Sequence, residues 1–574
     1  MTTTPGGLLL VLAVLVPFVG VLAGLVLGGR NPQRIALLTL VAGLGIALAI
    51  ADAYLRSGTA VVYLLGGWAP PLGVALRADS LSVIMLAAIA VVICGIGVYA
   101  CADFGTPAGQ REARAPFSFW LLLLAVWGSL NLVFVSGDLF TLYVALELLT
   151  FAGVPLVCLD GRGETLRAAL RYLLFALLGS VLYLLGAVLL FGAYGTLDIV
   201  LLAERLRPEP LAWAAAALMT TGLLAKTALF PLHLWLPPAH AGAPAAASAV
   251  LSALVIKGSW FLVVRLWFDV MPGVITLPAA ELLGGLGAAA ILIFSVVALR
   301  QQRLKLLIAY STLAQIGYLF LMFPLAFDIA AGHLVRGDAL TAGTLQAISH
   351  ATAKAAMFMA AGSIYAALGH DRIAGIAGIV RTLPISVLTF AVSGVALMGV
   401  LPSGAYLAKK LLQDAAAGSG QWWWDYVLQA GGVLTSSYVL LVLACALRRA
   451  DGIVAQKAPV SRLAQTAALA LAVCSLLLAF AAFGPLPQPL LKNPLAPAEL
   501  ASLLFTVACG GMLAFWVGAG STRAPATAGP VRRAGRAVGE TFVRADGLLR
   551  RWPVASISLL VVAAMFGWAL VGAR

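Results

Sequence analysis

Charge is scarce in this sequence. Acidic residues number 22 and basic ones 36, so charged side chains make up 10% of 574 residues, where soluble domains carry roughly 25%. That deficit excludes a soluble enzyme and a disordered chain. Cysteine is also sparse: Cys94, Cys101, Cys158, Cys445, Cys474 and Cys509 are scattered, with no C-x-x-C pair and no Cys/His cluster. A structural zinc or iron–sulfur centre is therefore not expected. Neither a Gly-rich dinucleotide fingerprint nor a P-loop is present. No cofactor is expected, nor any redox or hydrolytic active site. Period-two alternation is missing, which excludes a β-barrel. No basic segment precedes the first apolar run, so that run reads as a retained helix rather than a cleaved signal.

What fills the chain is apolar: 62% hydrophobic residues and a mean hydropathy of +1.03. A bilayer-spanning helix needs about 20 mostly apolar residues, and the runs divide into about sixteen spans. The expected fold is an all-α polytopic membrane protein. The net charge of +14 would suggest nucleic acid in a soluble chain; here it follows from basic loops on the cytoplasmic side. Connections after odd-numbered spans hold most of the Lys and Arg, and those after even-numbered spans hold few, among them Arg56, Arg77 and Arg336. The odd connections are thus expected in the cytoplasm and the N-terminus outside. The expected divisions are 1–114 for spans one to three, 115–270 and 271–450 for two five-helix units, and 451–574 for the remaining helices. That last part contains a basic cytoplasmic loop at 520–552, read as a surface helix lying on anionic lipid or docking a partner.

Ionisable residues within apolar spans cost roughly 2.5–3.5 kcal/mol each at mid-bilayer and mark ion paths. Glu147 lies in LFTLYVALELLTF, Lys226 in TTGLLAKTALFPLHLWLPPAH, Lys257 in SALVIKGSWF, His350 and Lys354 in ISHATAKAAMF, and Lys409 and Lys410 after LPSG. Each has a plainer reading. Lys410 can snorkel to headgroups, His233 and His240 can satisfy a bent backbone, and Asp138 can cap the helix it opens. Deep groups of both signs in five spans outweigh those readings, since facing lipid they would cost on the order of 10 kcal/mol. His350 and Lys354 share one helix face. Pro231, five residues after Lys226, and Pro402 with Gly404, before Lys409, interrupt two spans. Two interrupted, lysine-bearing spans five apart suggest an inverted repeat, spans four to eight against nine to thirteen. Burial disfavours a charged lysine and a nearby carboxylate favours it, so movement of Glu147 would switch the proton on Lys226. A water-linked histidine can relay protons near neutral pH.

From Lys226 through PLHLWLPPAHAGAP to Lys257, and in GDLFTLYVALE, LRYLLFALLGSVLYLLG, RLKLLIAYSTLAQIGY and SHATAKAAMFMAAGSI, the chain resembles the antiporter-like membrane subunits. These include the D-type component of Mrp-type Na+/H+ antiporters and the L/M/N-type proton-pumping subunits of complex I and membrane-bound hydrogenases. The resemblance covers roughly residues 115 to 415. It implies discontinuous helices 7 and 12, two inverted five-helix units, and a proton path through Glu147, Lys226, Lys257, His350, Lys354 and Lys409. In most relatives the helix-12 residue follows a glycine at four positions; here Lys409 follows Gly404 at five, which leaves Lys410 as a rival. The resemblance further implies other membrane subunits as partners, protons and Na+ as ions, and a bacterial cytoplasmic membrane. A redox-driven parent complex is the alternative, and a scaffold with inactive sites a third reading.

Overall fold

The computed structural model describes residues 2–107, 109–110, 112–449, 456–480, 496–518 and 530–572. Fourteen helices are long and apolar enough to cross a membrane: α1 (Leu8–Leu27), α2 (Asn31–Ser57), α3 (Ser80–Asp103), α4 (Arg114–Val135), α5 (Leu139–Val157), α6 (Gly163–Tyr194), α9 (Ala245–Val270), α10 (Leu277–Leu299), α11 (Leu304–Leu325), α12 (Asp338–Leu368), α15 (Trp423–Leu447), α16 (Arg462–Phe480), α17 (Pro497–Gly518) and α19 (Trp552–Val571). Two further spans are broken. Span seven is α7 (Pro210–Thr227) followed by α8 (Leu236–Gly242), and span twelve is α13 (Pro384–Leu397) followed by α14 (Gly404–Gly418). Counted with the fourteen, these two broken elements make sixteen candidate spans among the described residues, against about sixteen expected from the hydropathy. The remaining long helix, α18 (Pro530–Leu549), is basic and amphipathic. The only strands among the described residues form two small hairpins in connections, β1–β2 (Val61–Leu64, Ala75–Ala78) and β3–β4 (Phe327–Asp328, His333–Leu334).

Helices dominate because lipid offers no partner to an open peptide group. The breaks occur where the sequence withdraws that satisfaction. Pro231 and Pro402 carry no N–H, and Ala228, just past α7, has a left-handed φ of 60°, a conformation costly for a residue with a Cβ. Ser403 restarts the second broken span by accepting the Tyr406 amide at 3.1 Å.

The connections segregate by parity. At one end a vestibule of about 790 Å³ gathers Asp103, Asp160, Arg162, Ala241 and Arg303, from the connections after spans three, five, seven and nine. At the other end Asp79, Gly137, Asp198, Asp269 and Arg336 converge, from those after spans two, four, six, eight and ten. There Arg265 clasps Asp79 at 2.5 Å and Asp269 at 2.6 Å. Burial opposes the charge on Asp79, but Arg265 holds its carboxyl well below the usual carboxylate range. Helix α18 lies at the first end, where its Gly539 approaches Arg300.

Small residues let helices meet at backbone distance. A Cβ on Gly222 of α7 would strike the Gly179 oxygen of α6, and one on Gly179 would come 2.6 Å from the Gly222 oxygen. Gly287 of α10 and Gly317 of α11 are joined in the same way. Gly222 lies one turn before Lys226.

Two outcomes are expected. In a background without the six native cysteines, cysteines introduced as Gly163→Cys and Thr59→Cys should react with an impermeant thiol reagent from opposite faces of the membrane; labelling from one face would refute the alternation. Gly222→Val should destabilise the protein by about 1–3 kcal/mol, the usual range for overpacking, seen as a lower melting temperature in detergent. An unchanged melting temperature would show that α6 and α7 are not in backbone contact.

Candidate functional site

The break in span seven places Lys226 at the end of α7, facing α5. Its Nζ lies 3.2 Å from Glu147 Oε1 and donates to Thr150 Oγ1 at 2.8 Å and to the Leu146 carbonyl at 3.4 Å. Side-chain exposure is 6% for Lys226 and 14% for Glu147, so this is a nearly buried ion pair. Ser180 of α6 also hydrogen-bonds Glu147. One turn separates Glu147 from Thr150, so α5 offers both acceptors on one face. The chain beyond the break folds back on the site. Trp235 donates to the Ala225 carbonyl at 3.1 Å and stacks on Tyr172 at 4.1 Å.

A cavity of about 10 Å³ beside Lys226 is bounded by Thr150, Tyr172 and Ser259, room for about one water. The Thr227 and Ser259 hydroxyls are 3.0 Å apart, leading from α7 to α9. Two turns past the start of α9 the helix widens to π-type turns over 251–255, a distortion frequent at functional sites. Lys257 follows it, fully buried. Its Nζ donates to the Ser252 carbonyl at 3.3 Å and contacts His350 Nδ1. On α12, His350 and Lys354 project from one face as their spacing requires, both fully buried. Lys354 donates to Ser311 Oγ at 2.5 Å and to the Ile308 carbonyl at 3.4 Å.

A bridge of amides continues toward the second break. Gln346, one turn before His350 on α12, donates to Gln315 Oε1 at 3.1 Å. Gln315 in turn donates to the Leu397 carbonyl at 3.3 Å and to Thr435 Oγ1 at 3.4 Å. Leu397 ends α13. Past the break Lys409 lies against two glycines: its Nζ is 3.3 Å from where a Gly432 Cβ would sit, and its Cδ 3.4 Å from that of Gly399. Gly404 permits a close approach to α12, since a Cβ there would come 3.2 Å from Ser349. Lys410 turns elsewhere and pairs with Glu499 of α17 at 3.4 Å.

The supporting residues divide. Asp138 caps α5, accepting the Thr141 amide at 2.8 Å. His233 is fully buried; Nδ1 faces the Pro231 carbonyl at 3.1 Å and Nε2 faces Asp546 of α18 at 2.9 Å. His240 stacks on Phe358 at 4.8 Å, and its ring nitrogens have no hydrogen-bond partner among the described residues.

Sequence reasoning missed Glu499, Asp546, Gln315, Gln346 and Ser180. Gln346 carried a signal, being four residues from His350. Glu499 and Asp546 carried none, because each meets its partner across a long stretch of chain.

Residues 136–435 match the family described as NADH:quinone oxidoreductase/Mrp antiporter, transmembrane. Among similar proteins, the N-type component of the NADH-quinone oxidoreductase of Desulforudis audaxviator is 32% identical over 402 residues, 69% of this chain and 77% of that one. The D-type component of the Na+/H+ antiporter of Alkalihalophilus pseudofirmus is 30% identical over 422 residues, 71% of this chain and 80% of that one. In fold, a chain of the Mrp complex from Dietzia sp. DQ12-45-1b superposes with a TM-score of 0.72 at 24% identity, covering 90% of this chain and 98% of that one. The match spans both broken helices and the buried lysines between them, and the chain belongs to the NADH:quinone oxidoreductase/Mrp antiporter transmembrane family.

Proposed function

We propose that the chain is a proton-translocating subunit of a multisubunit complex in the bacterial cytoplasmic membrane, resembling the D-type component of Mrp antiporters, with the basic vestibule end in the cytoplasm. The observation that carries the reading is the polar chain just described. It runs from the Glu147–Lys226 pair through Lys257, His350 and Lys354 to the amide bridge at the second break. A carboxylate beside a buried ammonium stabilises its charge. When Glu147 swings from Lys226, the unpaired ammonium releases its proton toward the Thr227–Ser259 hydroxyls, and Lys257 receives it through water. His350, touching Lys257 at one nitrogen, passes it along α12. Gln315 and Gln346 orient water toward Lys409, which exchanges with solvent at the break. Na+ as the exchanged ion follows the name of the A. pseudofirmus relative.

The D. audaxviator relative favours a second reading, a redox-driven parent complex in which this chain moves protons and other subunits carry electrons. Purification of the native complex decides between them: small membrane subunits alone support the antiporter, and iron–sulfur subunits support the redox complex.

Ion flux driven by a pH gradient, measured in membrane vesicles holding the assembled complex, tests the path. Glu147→Ala and Lys226→Ala should each lower flux at least tenfold without loss of assembly; full flux in either would end the pairing mechanism. Lys409→Ala should stop turnover. Lys409→Arg should do nearly the same, since guanidinium keeps its proton. Lys410→Ala should be mild. The reverse pattern would transfer the exit role to the Lys410–Glu499 pair.

A further inference from the structure

Helix α18 has no part in the polar chain, yet one of its side chains is buried against the first break. Gly535, Gly539, Phe542 and Asp546 recur at intervals of four, three and four, the spacing of a single helix face. That face is the docked one. A Cβ on Gly535 would strike the Trp516 ring, and one on Gly539 would come 3.3 Å from Arg300 Cδ. Phe542 packs against the core, and Asp546 is 2% exposed. By the same helical spacing Arg533, Arg536 and Arg544 lie off this face.

Asp546 gathers donors from three elements. His233 Nε2 is 2.9 Å from Oδ1. Tyr310 of α11 donates to Oδ2 at 2.7 Å, and Arg550, one turn on, donates to Oδ2 at 2.9 Å. Burial opposes the charge, but these bonds and the Arg550 guanidinium hold the carboxyl below the usual range. His233 then has an acceptor at each nitrogen, the Pro231 carbonyl and the Asp546 carboxylate. A carboxylate only accepts, so the ring nitrogen facing it, Nε2, carries the N–H that donates to Asp546. One carboxylate thereby joins the break of span seven to α11 of the second unit. The break is in turn tied to the Lys226 turn by the Trp235–Ala225 bond.

We propose that α18 is a strap across the basic face and that Asp546 is a positioning residue for ion translocation, fixing the break beside Lys226 through His233. The inference rests on the reading of Lys226 given above. Asp546 itself carries no translocated proton.

The test compares wild type with Asp546→Ala, Asp546→Glu and Lys226→Ala in the full complex. Flux per assembled complex is read together with hydrogen–deuterium exchange of residues 228–235. Asp546→Ala should lower flux at least fivefold and raise exchange in 228–235, leaving exchange in 251–265 unchanged. Asp546→Glu should restore both. Wild-type flux in Asp546→Ala overturns the proposal, as does a fall in flux with unchanged exchange, which would make Asp546 a proton carrier. Failure of Asp546→Ala to assemble also counts against it, because the strap would then serve folding. Lys226→Ala separates the two readings: normal flux there defeats the translocation path itself, whereas a dead Lys226→Ala beside a fully active Asp546→Ala defeats only the strap.

Discussion

Everything in this interior is constrained by the cost of an ammonium group in a medium that cannot solvate it. Each buried lysine has been given acceptors. Lys226 has Glu147, Thr150 and a carbonyl; Lys257 has a carbonyl and His350; Lys354 has Ser311 and a carbonyl. Only the first set contains a carboxylate. Lys257 and Lys354 flank His350 with no buried acid bonded to them among the described residues, so the three groups cannot all be charged together without mutual repulsion. Charge is thus compensated by a carboxylate at the Glu147–Lys226 end and by neutral acceptors alone in the middle. That difference in charge compensation makes the ends of the row chemically unlike.

The two broken spans meet this constraint differently. At the first, the carboxylate comes from a neighbouring helix inside the matched segment: Glu147 on α5 faces Lys226 on α7. At the second, lysines follow the break on α14, and the ion pair is made with Glu499 on α17, which bonds Lys410 rather than Lys409. The helices beyond the matched 136–435 segment are therefore chemically involved. α17 supplies Glu499 at the second break and α18 supplies Asp546 at the first.

Much of this was legible in the sequence, because hydropathy and helical periodicity are local. The sixteen spans, the two proline-marked breaks, the shared face of His350 and Lys354, and the capping role of Asp138 all follow from spacing within one element. A basic surface helix in the last long loop was legible too. What escaped was tertiary. Spacing shows which residues share a face, but not which face of another helix it meets, so nothing local marked Glu499 as a partner of Lys410 or Asp546 as a partner of His233. Gln315 and Gln346 were hidden for a different reason. Uncharged amides cost less to bury than ions, so they do not stand out from the surrounding polar residues. His233 was singled out for its place after Pro231, and its plainer role, satisfying the bent backbone, coexists with the contact to Asp546.

The contact between Gly179 and Gly222 has a mechanical corollary. With backbone against backbone and no side chains between, α6 and α7 have little room to slide past each other. Lys226 rides on one member of this pair. The other presents a stripe of exposed leucine and valine, Leu170, Leu174, Val181 and Leu185, along its outer side. Lateral pressure on that stripe, whether from acyl chains or from an adjoining protein, would reach the lysine as rigid-body tilt of the pair, so the thickness of the surrounding bilayer would bear on the Glu147–Lys226 contact.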